Sequence, residues 1–229
     1  MILITPIFYI TGAILSGALA IGTYLSYRQS QNQGLWYLFW SFLFLSLHSL
    51  SLSAPSLVNS GNLTAIALGF VLGIIFLYLL LLSALRVEIS LQRGFMRKHS
   101  FIINIILVGI GFFVVWLLIS DFRLPIISPQ GIIFWNVNPI AGWLTGLTSL
   151  IYGLMWADFF QQEKRMVSQT TSKLKMSVLS FDGIMLGVSA LFVFTSTNEV
   201  ETIIGHALFI IACVLTAITL LIPDKKRSA

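Results

Sequence analysis

Apolar runs of about twenty residues recur seven times along the chain, each closed by a short polar or basic stretch. A bilayer core of about 30 Å needs about 20 apolar residues per helix. The pattern therefore predicts seven membrane-spanning helices, over about 7–26, 36–55, 64–85, 101–120, 139–159, 176–195 and 202–222. The breaks between them are distinct. Residues 28–34 are polar, 55–62 carry Pro, Ser, Asn and Gly, and 86–100 are basic. Residues 121–138 hold Pro125 and Pro129, 161–175 are polar and basic, and 196–201 are short and acidic. Nothing is left over for a soluble domain, so a single all-α membrane domain over residues 1–229 is expected.

Composition narrows the class further. The chain is 57% hydrophobic and 9% charged, with a mean hydropathy of +0.95. Soluble domains carry roughly 25% charged residues, so this chain cannot clothe a water-facing surface. A soluble enzyme, a nucleic-acid module and a disordered chain are excluded, and no enzymatic motif emerges. The single cysteine, Cys213, sits in an apolar run and reads as packing.

Charge placement orients the bundle. A secretory signal needs positive charge before its apolar run. Ala18 and Ala20 resemble a cleavage site, but residues 1–6 carry no such charge and Arg28 comes after the run. A retained first helix with its N-terminus outside is expected. The cytoplasmic segments then hold Arg28, Arg86, Arg93, Arg97, Lys98, Lys164, Arg165, Lys173, Lys175, Lys225, Lys226 and Arg227, leaving Arg123 outside. Basic residues concentrate on the cytoplasmic side of membrane proteins, so span count and orientation support each other. The C-terminus is then cytoplasmic, in a plasma or bacterial inner membrane. Trp36, Tyr37, Trp40, Trp116, Trp135, Trp143 and Trp156 fall near span ends, where amphipathic rings favour the interface.

Lipid supplies no hydrophobic drive between helices, so small residues that permit close approach mark helix contacts. Gly69 and Gly73 form a GxxxG in the third span, Gly142 and Gly146 in the fifth, and Gly183 and Gly187 in the sixth. These rows read as packing within one bundle or as the face of a homo-oligomer. All six prolines lie at span ends or in loops. Unbroken spans argue against a broken-helix transporter. Asn62-Leu63-Thr64 matches a glycosylation sequon hard against the third span.

An ionisable group inside a span is a functional candidate by default. Asp182, in the inner third of the sixth span, reads as a proton site, a cation ligand or a helix-packing switch. Its purely structural reading is a hydrogen bond to a neighbour such as Asn104 of the fourth span. His48 in the second span and His206 in the seventh lie at similar depths. Facing one another, they would be able to hold a haem or metal or relay protons. A metal site wants more ligands than two, so hydrogen-bonded packing histidines are the simpler reading, and no cofactor or metal is predicted. The basic clusters at Arg93, Arg97 and Lys98 and at Lys225, Lys226 and Arg227 would touch anionic lipid. Docking of a cytoplasmic protein is the alternative.

Seven spans with an external N-terminus resemble, in topology over the whole chain, the rhodopsins, the G-protein-coupled receptors and the bacterial seven-helix sensor domains. Leu85-Arg86-Val87-Glu88 at the end of the third span is similar to the receptor pairing of arginine beside acid. A retinal Schiff base is disfavoured, because the last span contains no lysine. Seven-helix zinc hydrolases related to ceramidases use several histidines that this chain lacks. The leading expectation is a sensor or receptor-like bundle. In it, an outer-facing cavity takes a small or lipidic ligand and shifts the inner ends of helices three, five and six. The alternatives are a small transporter or channel using Asp182, and a membrane redox subunit using His48 and His206.

Overall fold

The computed structural model describes residues 3–91 and 95–221. Its helices are α1 (Ile4–Ser30), α2 (Gln33–Val58), α3 (Leu63–Leu91), α4 (Phe95–Ser120), α5 (Pro139–Met166), α6 (Thr170–Thr195) and α7 (Glu199–Leu221). All seven are long and apolar enough to cross a membrane, as an integral multi-pass protein requires. They outrun the hydropathy pattern, because a helix does not stop where the hydrocarbon does. At 29 residues, α3 is about 43 Å long against a core of about 30 Å. Its last turns therefore carry Glu88, in a stretch expected to be loop, as part of the helix. In the same way α2 continues through Pro55 to Val58.

Asparagine begins four of the helices. The side-chain oxygens of Asn32, Asn62, Asn138 and Asn198 accept from the backbone N–H groups of Gly34, Ala65, Ile140 and Glu201. Each bond satisfies a donor that the helix start leaves open. Asn62 of the sequon thus has a structural task. Gln31 ends α1 in the left-handed conformation, at φ 56°, and returns its N–H to the Tyr27 carbonyl. Links of two to four residues then fold α1 back on α2, α2 on α3, α5 on α6 and α6 on α7.

Each helix packs on the next in sequence, α7 returns to α1, and α3 also touches α5. The result is a closed ring. Glycine sets several joints, two of them through the GxxxG rows. On α3, a Cβ at Gly69 would run into the Ser51 carbonyl of α2, and one at Gly73 would press on Leu52. On α5, a Cβ at Gly142 would meet the Phe194 carbonyl of α6, and Gly146 lies against Leu191. Gly153 of α5 sits directly against Gly183 and Gly187 of α6, backbone to backbone. Helix α4 is the peripheral member, exposing Phe101, Ile105, Phe112 and Trp116.

The 121–138 segment is not a plain loop. Strands β1 (Ile126–Ile127) and β2 (Ile133–Phe134) form an antiparallel hairpin, Ile126 opposite Phe134 and Ile127 opposite Ile133. The turn uses Gly131 at φ 81°, a conformation glycine takes without strain. The hairpin folds onto one end of the ring. Ile4 N–H donates to the Gly131 carbonyl at 2.9 Å, and Ile133 N–H donates to Thr5 Oγ1 at 3.0 Å. Ile132 and Ile133 are fully buried, and Trp135 stacks on Phe70 at 4.7 Å. At the hairpin's base, Arg123 and Asn138 both donate to the Asp121 carboxylate. Those bonds hold its pKa below the usual carboxylate value. This end is the hairpin end. The opposite one, with Arg28, Arg86, Lys164, Arg165, Lys173 and Lys175, is the basic end. The side chains of the basic clusters at 93–98 and 225–227 lie outside the described residues.

Candidate functional site

The ring encloses a cavity of about 190 Å³. Helices α2, α3, α5, α6 and α7 line it, and α1 contributes Tyr9. The wall is overwhelmingly apolar, built from residues such as Leu45, Leu81, Trp156, Leu186 and Phe209. An apolar cavity of about 150 Å³ already takes a molecule the size of benzene. This one therefore has room for a small guest.

At the hairpin end the lining comprises Tyr9, His48, Phe194 and Phe209, and Trp135 lies against Tyr9 and Phe70. From there the lining runs toward the basic end, as far as Leu38 on α2, Phe160 on α5 and Leu220 on α7.

Asp182 stands in this wall, 2% exposed. Thr216 Oγ1 on α7 donates to its Oδ2 at 2.9 Å. Oδ1 is buried with no hydrogen-bond partner among the described residues. The geometry corrects the expected pairing with Asn104. That residue lies on α4, which packs on α3 and α5, and its Nδ2 donates to the Ser100 carbonyl at 2.6 Å. Asn104 does not line the cavity.

The histidines occupy the hairpin-end half. His48 Nδ1–H donates to the Gly73 carbonyl at 2.7 Å, tying α2 to the glycine row of α3. His206 is fully buried, stacked on Phe8 at 5.6 Å, with both nitrogens unpartnered among the described residues. Tyr9, on the helix between α2 and α7, presents its ring to both. The centroid distances are 6.2 Å to His48 and 5.1 Å to His206, each edge-on. His48 lines the cavity, and His206 belongs to the aromatic cluster above it.

Two polar groups not expected in the cavity region are buried without partners among the described residues. Glu88 on α3 is 1% exposed, and its Oε1 has no partner among the described residues. Tyr152 on α5 lines the cavity, with its hydroxyl likewise unpartnered. Glu88 lies within electrostatic range of both Tyr152 and the exposed Asp158. The signal in the sequence was periodicity. Glu88 follows Leu81 by seven residues and Ala84 by four, which places it on the buried face of α3.

Set against protein-family models, curated proteins and solved structures, the chain has no significant match to any of them.

Proposed function

We propose that the bundle is a receptor-like membrane sensor that holds a small apolar ligand inside the ring, anchored by one hydrogen bond to Asp182. The observation that carries this reading is the cavity itself, mostly apolar, with a few buried polar groups in its wall. Among them are the free Asp182 oxygen and the hydroxyls of Ser149 and Tyr152, unpartnered among the described residues. Sites for small molecules combine apolar walls with a few placed polar groups in this way. The ligand signal would pass through the helices that line the cavity. Because Gly153, Gly183 and Gly187 lock α5 to α6, those two helices would move as one body against α3 and α7.

The test is ligand-dependent stability. Binding to the folded state alone raises stability by about 2.7 kcal/mol at a hundredfold excess over Kd. For a protein of this size that is about 5–10 °C in Tm. Aliphatic and aromatic alcohols should produce such a rise in the wild type. Ala190→Phe, which fills the cavity, and Asp182→Leu, which removes the anchor, should abolish it. Equal shifts in all three proteins would refute the reading.

One observation favours a second reading, a proton-linked carrier. Asp158, Glu88 and Tyr152 form a sequence of ionisable groups from the basic end to the cavity wall. Proton-driven flux in liposomes that disappears in Glu88→Gln would support it.

We assign the hairpin end to the outside, from the placement of basic residues. In a Cys213→Ala background, cysteines at Asn59, Gln130 and Asn198 should react with an impermeant maleimide added outside. Cysteines at Gln31 and Gln169 should react only after the membrane is opened. External labelling at 169 would reverse the assignment.

A further inference from the structure

The proposed sensor leaves open what kind of molecule fills the cavity and how it gets in. Shape bears on the first question. The lining residues of α2 run from Leu38 to His48, about 15 Å along the helix axis, and those of α7 from Phe209 to Leu220, about 16 Å. A volume of about 190 Å³ lined over that length suits an elongated guest better than a round one.

Polarity bears on the kind of head such a chain would carry. Asp182 lies in the basic-end part of the cavity. On the hairpin side of it α6 contributes Leu186, Ala190, Val193 and Phe194, facing a wall that also holds the hydroxyls of Ser149 and Tyr152. The free Asp182 oxygen accepts hydrogen bonds, and Thr216 already satisfies the other. A guest with a donor at one end and a hydrocarbon tail matches both features. A carboxylate head would meet a second carboxyl group.

The wall itself shows where the guest passes. Helices α1 and α7 meet in the hairpin-end half, where Phe8 and Tyr9 contact His206 and Gly12 lies against Phe209. Nearer the basic end α1 leans on α2 instead, through Tyr24 with Phe39 and Tyr27 with Trp36. Beyond Tyr9, the lining there comes from α2 and α7, with no described residue of α1. Its edge residues are incompletely covered: Leu38 and Phe42 are half-buried, as is Thr216, and Leu220 is 39% exposed.

We infer that the cavity takes a single-chain amphiphile with a hydroxyl or ammonium head, admitted from the bilayer through the gap between α2 and α7. The head lies at Asp182 and Thr216, near the gap, and the tail points toward His48 and Phe194. This inference rests on the sensor reading and adds the ligand class and its route.

The experiment uses the full chain in phosphatidylcholine nanodiscs and a diazirine-bearing long-chain alcohol as the probe. Photolabelling is followed over time and mapped by mass spectrometry. In the wild type, label should appear on α6 and α7, with competition by a long-chain amine and at least tenfold weaker competition by a fatty acid of equal length. Leu38→Trp narrows the gap. A bulky maleimide attached after reconstitution to Leu220→Cys, in the Cys213→Ala background, narrows it without any demand on folding. Both should slow labelling at least tenfold, whereas the same treatment of Ile126→Cys in the hairpin should not. Labelling at the wild-type rate in both blocked forms overturns the route. Equal competition by acid and amine overturns the head. If the wild type takes no label that excess alcohol displaces, the sensor reading itself falls.

Discussion

Replacing Gly153 with alanine is expected to destabilise the bundle by about 3 kcal/mol or more. Extra atoms in a well-packed interior cost about 1–3 kcal/mol when side chains can adjust. Here a Cβ would strike the Gly183 carbonyl and press on the Gly187 backbone. Neither can rotate away, so the two helices have to separate. Separation would also disturb neighbouring bonds of the same joint, including that from the Ser180 hydroxyl to the Ala157 carbonyl at 3.0 Å. Gly22→Ala and Gly109→Ala are the controls, because a Cβ at either position meets nothing within 4 Å. They should not destabilise, and alanine's better helix propensity should add up to about 1 kcal/mol. Thermal unfolding of the three variants in one detergent provides the comparison. A Gly153→Ala protein as stable as the controls would show that the α5–α6 joint is looser than its geometry. Gly183→Ala should add little on top of Gly153→Ala, since both open the same contact.

Trp135→Ala is the second large loss, expected at about 3–5 kcal/mol, the range for truncating a buried aromatic side chain to alanine. Trp135 is 5% exposed, stacks on Phe70 of α3 and lies 6.4 Å from the Tyr9 ring of α1. It thereby joins the hairpin to two helices that do not follow one another in the chain. Its removal should loosen the hairpin before the ring. Amide exchange at Ile132 and Ile133 should rise well ahead of exchange in the middle of α3. Trp135→Phe, which keeps a ring over Phe70, should recover most of the loss. If the alanine variant melts like the wild type, the hairpin is an ornament.

Hydropathy made the seven helices legible because the requirement it reports, a long run of apolar residues, is absolute in hydrocarbon. Faces were another matter. In water an apolar stripe tells a helix's inside from its outside, but lipid is as apolar as a core, and Phe112 facing outward looks like Phe70 facing inward. The neighbour of Asp182 was therefore unreadable, and Asn104 was as plausible as Thr216. Span ends blurred for a related reason. Hydropathy tracks the hydrocarbon, whereas hydrogen bonding carries the helix on, and Glu88 was lost in that margin. The hairpin did leave a trace. The pairs Ile126-Ile127 and Ile132-Ile133 flank Pro129 and Gly131, an apolar–turn–apolar pattern that Pro-rich composition concealed.

The bond from Thr216 to Asp182 also bears on how the protein is made. An aspartate near the centre of a helix costs about 2.5–3.5 kcal/mol on membrane insertion, and α6 carries Asp182 well inside its length. Its hydroxyl partner lies 34 residues further on, in the next helix. At a synthesis rate of about 5–20 residues per second, the carboxyl waits about 2–7 seconds before that partner exists. During the interval α6 has only α5 to shield it, joined by a link of three residues and fitted to it glycine against glycine. The joint that looks like packing in the finished bundle is then a chaperone within the chain, keeping α6 in the bilayer until α7 arrives.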